Sequence, residues 1–231
     1  MIWKGLWGVV SVMLLYSCTY PLKNTQNMVS RNDSTFTSKI HKTPLHKLEK
    51  LWVVGDFDGD HKTDTLFEHN FSDLHHIEID SAADPFQTEW DTVVNWFYKQ
   101  EADVYLTLHH NAFDTLHLGT AQGLYCLINL GDLNADGTDE IALVVDYCDF
   151  SSLNSCKIYT CCHRKWTQIH RFSIFEGAFD HAPDSAPTYA EIKGYLEKQN
   201  NHWTYLDYLQ TDDDSAAATR KMKPLIIHKC P

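Results

Sequence analysis

Gly55-Asp56-Phe57-Asp58-Gly59-Asp60-His61-Lys62-Thr63-Asp64 aligns without a gap on Gly131-Asp132-Leu133-Asn134-Ala135-Asp136-Gly137-Thr138-Asp139-Glu140. Counting the first Asp of each as position 1, oxygen-bearing side chains stand at positions 1, 3, 5 and 9 of both. They are Asp56, Asp58, Asp60 and Asp64 in the first loop, and Asp132, Asn134, Asp136 and Glu140 in the second. The seventh residue, Lys62 or Thr138, would add its main-chain carbonyl. Calcium is a hard cation that takes about six to eight oxygens, and alternating Asp or Asn in a tight loop turns several of them inward. Without a cation, the carboxylates of one loop oppose each other's ionisation. The pattern therefore predicts two calcium sites, the second weaker because Asn134 is neutral. A closed oxygen cage leaves no open position for a substrate, so the expected role of both ions is structural.

Working outward, Leu51-Trp52-Val53-Val54 and Leu127-Ile128-Asn129-Leu130 lead into the loops, and Thr65-Leu66-Phe67 and Ile141-Ala142-Leu143-Val144-Val145 leave them. These are strand formers, whereas an EF-hand loop needs a helix on each side. The run from Ile141 to Val145 is apolar throughout, as expected of a strand covered on both faces. Further β-rich runs are Val104 to Leu108, Leu124 to Leu130, Ile158 to Cys162 and Trp166 to Ile174, bounded by turn residues. Trp90, Val93, Val94 and Phe97 have helical spacing while Thr92 to Tyr98 is also rich in strand formers, so this segment is ambiguous and is kept as a candidate for a single short helix. Two hairpins echo each other, one turning at Arg164-Lys165 before Trp166 and one at Asn200-Asn201 before Trp203. The expected fold is mainly β, with antiparallel blade-like sheets arranged as a partial propeller or a stack.

Both loops resemble the calcium loops of FG-GAP and VCBS repeats, found in integrin α-chain propellers and many exported bacterial proteins. The resemblance covers the loops and their flanks. It implies an ion held between two strands of an antiparallel blade. His61 departs from the family, which prefers Gly at position 6, where positive φ is often needed. Roughly 180 residues follow the N-terminal region, too few for a full ring of blades of about 40 to 50 residues each.

Lys4, the uncharged apolar run Leu6 to Leu15, and Leu15-Tyr16-Ser17-Cys18 have the layout of a secretory signal. The run is shorter than the roughly 20 residues of a membrane-spanning helix. Its last four residues resemble the lipobox of bacterial lipoproteins, which implies lipidation of Cys18 after cleavage before it. Residues 1–17 are read as the signal peptide, 18–45 as a polar tether and 46–231 as the calcium-loop domain. The acidic cluster that sends some Bacteroidetes lipoproteins to the cell surface is absent from Thr19-Tyr20-Pro21-Leu22-Lys23. An outer-membrane lipoprotein facing the periplasm is therefore expected.

The chain has 19 basic and 31 acidic residues. Loss of residues 1–17 removes Lys4, leaving 18 against 31 and a formal charge of −13. Such a surface disfavours nucleic acid and favours a cation or a basic protein. Six cysteines follow Cys18, and in an exported protein they suggest disulfides. Cys148 and Cys156 bracket a short polar loop and form the expected pair, with Cys230 placed to tie down the C-terminus. Cys161-Cys162-His163 lacks a partner pair with zinc-finger spacing.

The sequence contains no HExxH, GxSxG or phosphate-binding glycine loop. His109, His110, Asp114 and His117 form the densest ionisable cluster outside the loops, and alternation along a strand would separate the first two. The expected function is that of a lipid-anchored binding module for an envelope protein or glycan. The combination of lipoprotein signal and calcium loops is similar to periplasmic immunity lipoproteins that inhibit lysozyme-type hydrolases, which are often basic. A purely structural envelope lipoprotein, or a hydrolase with an unrecognised site, is the alternative.

Overall fold

The computed structural model describes residues 42–108, 114–180, 189–210 and 221–230. Cys18, the signal and most of the tether lie outside them, as do His109 and His110. The described residues are mainly β, with several antiparallel sheets, one α-helix and no closed barrel. No helix among them is long and apolar enough to cross a membrane.

The chain begins with β1 (Leu45–Lys47) and β2 (Trp52–Gly55), passes through the first acidic loop and continues as β3 (Asp64–Ser72). After β4 (Ile77–Glu78), β5 (Ser81–Ala83) and α1 (Trp90–Lys99) come β6 (Ala102–Leu108) and β7 (Leu116–Gly119). Strands β2-β3-β6-β7 form the first sheet, with β4 added beside β3. The second sheet is a meander, β8 (Ala121–Gly131), β9 (Glu140–Tyr147), β10 (Leu153–Cys162) and β11 (Lys165–Phe175), in that order. A third comprises β12 (Leu196–Gln199), β13 (His202–Tyr205) and β14 (Lys223–Pro224). Each acidic loop thus joins the first two strands of a four-stranded path.

Burial explains the layering. Leu66, Val104 and Leu106 of the first sheet share one core with Ile141, Leu143 and Val145 of β9. The alternate residues Ala142 and Val144 pack into a second core with Trp203, Leu196 and Leu206. Strand β9 is accordingly buried on both faces, as its unbroken apolar run requires. The helix buries Val93 and Phe97 against Ala82 and Ala83 of β5, which pairs with β1 in a separate two-stranded sheet, and against Ala102 of β6. Its spacing of Trp90, Val93 and Phe97 places them on one side, and Lys99 in the last turn suits the helix dipole.

Both hairpins form, with one turn displaced. His163 and Arg164 have φ of 52° and 66°, and Asn200 and Asn201 have 48° and 67°. Paired left-handed residues match the twist of a two-residue hairpin, so the first turn sits one residue earlier than the sequence suggested. The tryptophans after these turns play related parts. Trp166 contacts Phe57 of the first loop, ring centroids 6.3 Å apart, and the Trp203 indole N–H donates to the Leu130 carbonyl at the base of the second loop, 2.9 Å away.

The disulfide joins Cys162 to Cys230, while Cys148 and Cys156 are buried free thiols. The expected Cys148–Cys156 pair fails on register. Lys157 pairs with Leu143, so Cys156 lies level with Val144 while Cys148 is four residues further along β9's course. At a rise of about 3.3 Å per residue they stand about 13 Å apart, beyond the roughly 7 Å Cα limit of a disulfide. Cys162 is consumed by this bond, which removes it from any zinc site.

Candidate metal centre

The two loops share one backbone shape. At position 4, Gly59 and Ala135 have φ of 76° and 56°, and at position 6, His61 and Gly137 have 64° and 96°. A left-handed residue is therefore required at both positions. Each loop places its one internal glycine at a different one of them, leaving His61 and Ala135 in a conformation that costs an L-residue about 1–2 kcal/mol. The position 1 carboxylate gathers main-chain N–H groups and stabilises that shape. Asp56 accepts from Gly59 and His61, both at 2.9 Å. Asp132 accepts from Asp136 at 3.1 Å and Gly137 at 3.0 Å. Position 5 accepts from the N–H of position 7 in both, Lys62 to Asp60 at 2.8 Å and Thr138 to Asp136 at 3.0 Å. Position 9 accepts from the N–H of position 2, Phe57 to Asp64 at 3.3 Å and Leu133 to Glu140 at 2.7 Å.

In the first loop, carboxylate oxygens of Asp56, Asp58 and Asp64 lie within 4.8 Å of one another, the group of three acids that converges in this way among the described residues. Burial, followed by the Asp58 carboxylate, raises the pKa of Asp64. A divalent cation would relieve both effects. Asp60, expected among the ligands, instead receives the Lys62 ammonium at 2.7 Å. Lys62 was expected to contribute only its main-chain carbonyl, and its side chain can reach the acid two residues back because both side chains are exposed.

The second loop is arranged differently. Glu140 is fully buried, and burial pushes its pKa up to about 7. Its carboxylate accepts from Leu133 N–H and from the Asn134 amide at 2.9 Å. Asn134 Oδ1 is buried without a hydrogen-bond partner, an acceptor at position 3 that is suited to a cation. Both loops carry oxygen donors suited to a hard ion, and among the described residues only the first brings three acids together. Asp132, Asn134, Asp136 and Glu140 would hold it in the second, and Asp56, Asp58 and Asp64 in the first.

The loops also interlock, which their separate alignment did not reveal. The Asp139 N–H donates to the Asp56 carbonyl at 2.7 Å, and the Asp139 carboxylate accepts from Asp56 N–H at 3.1 Å and the Asn129 amide at 2.8 Å. The Asn129 amide also reaches the Val54 carbonyl at 2.9 Å. A β-carbon on Gly55 would fall 2.5 Å from Asn129 Nδ2 and 2.6 Å from Asp139 Oδ2, so the junction needs glycine there. The available signal was Asp139 itself, an acid at position 8 where the first loop has Thr63.

Beside the strands leading into the loops opens a cleft lined by Trp52, Val54, Asn129, Tyr189, Lys198 and Trp203. Trp52 is half exposed and Val54 is 41% exposed. On the first sheet's outer face His69, Tyr105 and His117 stand level across three strands. Glu78 and Asp103 hold the two imidazoles at 2.7 and 2.5 Å. His117 thus pairs with Asp103 from the neighbouring strand.

These features define a mainly β protein of stacked antiparallel sheets, with paired acidic loops interlocked at one end. No family model, curated protein or solved structure matches the chain.

Proposed function

We propose that the chain is a calcium-stabilised binding module of the bacterial cell envelope, anchored by lipid on Cys18. The common backbone shape of the two interlocked loops carries this reading, since it arranges oxygen donors at matching positions twice. Calcium serves a structural role: it neutralises the converging carboxylates and holds the ends of the first two sheets together. The kinship with FG-GAP and VCBS loops rests on the same positions. The acidic surface and the aromatic cleft beside the loops favour a basic envelope protein as partner, with a lysozyme-type hydrolase the specific candidate. Charge complementarity would speed association and make it sensitive to salt.

Inhibition of a basic peptidoglycan hydrolase by the purified full chain tests this reading. Inhibition that weakens at high salt and is reduced by Trp52→Ala supports it. Full hydrolase activity at a large molar excess of the chain at low salt contradicts the lysozyme target.

A further inference from the structure

The second loop is held by a segment that has no counterpart at the first among the described residues. Strand β14 pairs with β13, and the Leu225 N–H continues the contact by donating to the Trp203 carbonyl at 2.9 Å. The chain then crosses to the loop, where Lys229 Nζ donates to the Ala135 carbonyl at 2.8 Å. Cys230 Sγ lies 3.7 Å from Asp136 Oδ2 and is bonded to Cys162 at the end of β10. The segment is fixed at both ends, and its lysine is fastened to position 4 of the loop. That is where Ala135 adopts φ of 56° although it carries a β-carbon, whereas the first loop uses Gly59. The strained residue and the strap coincide.

From these contacts we infer that residues 225–230 form a redox-dependent strap that keeps the second loop in its cation-binding shape. The inference rests on the calcium reading of the loops and adds a means of regulating one of them. Lys229 bonds to a carbonyl at position 4, outside the donor positions 1, 3, 5, 7 and 9, so it fixes the turn without displacing a ligand. At position 3 this loop offers the neutral Asn134 where the first offers the Asp58 carboxylate. Pre-organisation by the strap therefore lowers the ordering cost of binding.

A dithiol reductant releases the strap. Its thiolate attacks one sulfur of Cys162–Cys230, the bond breaks, both cysteines become thiols and the reductant becomes its own disulfide. Among the described residues this is the one disulfide, and Cys126, Cys148, Cys156 and Cys161 are already buried thiols. The treatment acts on a single bond there.

The test is calorimetric titration of calcium into the full chain, oxidised and dithiol-treated, with Asp58→Ala used to isolate the second site. Lys229→Met provides a second perturbation that keeps the disulfide and decides the matter if the reduced chain loses its fold. The expected result is affinity about tenfold weaker at the second site in both cases, equivalent to ~1.4 kcal/mol, with the first site changed less than about twofold. Unchanged affinity at the second site, or equal weakening at both, overturns the strap. No calcium heat from the oxidised wild-type chain overturns the calcium reading and the strap together, which separates the two failures.

Discussion

Replacing Glu68 with Gln alters the pH dependence of stability in a direction fixed by its surroundings. Glu68 lies on β3, is only 4% exposed, and its carboxylate accepts from Leu51 N–H at 2.8 Å and from Leu124 N–H of the second sheet at 2.9 Å. Burial raises its pKa from the ordinary 4.5 to about 7, against the opposing effect of the two N–H donors. Between those values the folded chain keeps a proton that the unfolded chain has released. The contribution of this group is most favourable below pH 4.5, falls as pH rises towards 7 and is constant above it. The difference corresponds to ~3 kcal/mol. Gln does not titrate, but it presents an NH2 group to one of the two N–H donors, a mismatch worth ~1 kcal/mol at every pH. Urea unfolding should find the variant less stable than wild type at pH 4.5 and equal or more stable at pH 8. Glu140 and Asp146, raised mainly by burial to about 7 and about 6, are present in both chains and largely cancel. A stability gap that stays constant from pH 4.5 to 8 would refute the reasoning.

Gly137→Ala should destabilise by about 1–2 kcal/mol in thermal melts through its φ of 96° alone, since no neighbouring atom lies within 4 Å of the added carbon. Gly55→Ala should cost more, because Asn129, Asp139 and Phe57 must all move and the loop junction opens. Loss of Cys162–Cys230 through Cys230→Ser should lower unfolding free energy by about 4 kcal/mol in urea titrations, as expected for a link across 68 residues. Trp203→Phe leaves the Leu130 carbonyl without its indole donor and should cost about 1–3 kcal/mol in the same assay.

Strands are most legible where burial is uniform. The apolar run Ile141 to Val145 announces a strand enclosed on both sides, whereas the helical spacing of Trp90, Val93 and Phe97 competes with the strand formers between Thr92 and Tyr98, so α1 is only half legible. The strain at His61 is also readable, because position 6 of such a loop needs positive φ. Short strands such as β4 and β14 escape notice, since two-residue pairings leave no periodic signal. The cysteine pairing depends on register across β9 and β10, which spacing along the chain does not contain. Interlocking of the loops is hidden for the same reason: Gly55 is remote in sequence from Asn129 and Asp139 and meets them only when the sheets stack. The turn of Asp60 towards Lys62 is a local competition between an ammonium and the other loop donors, and the ligand pattern alone does not resolve it.

Calcium titration into the chelator-treated full chain, followed by calorimetry and melting temperature, tests the central claim most directly. The account predicts two binding events, with a rise in melting temperature that Asp58→Ala and Asp136→Ala each reduce. Absence of both heat and a melting shift at millimolar calcium would contradict it.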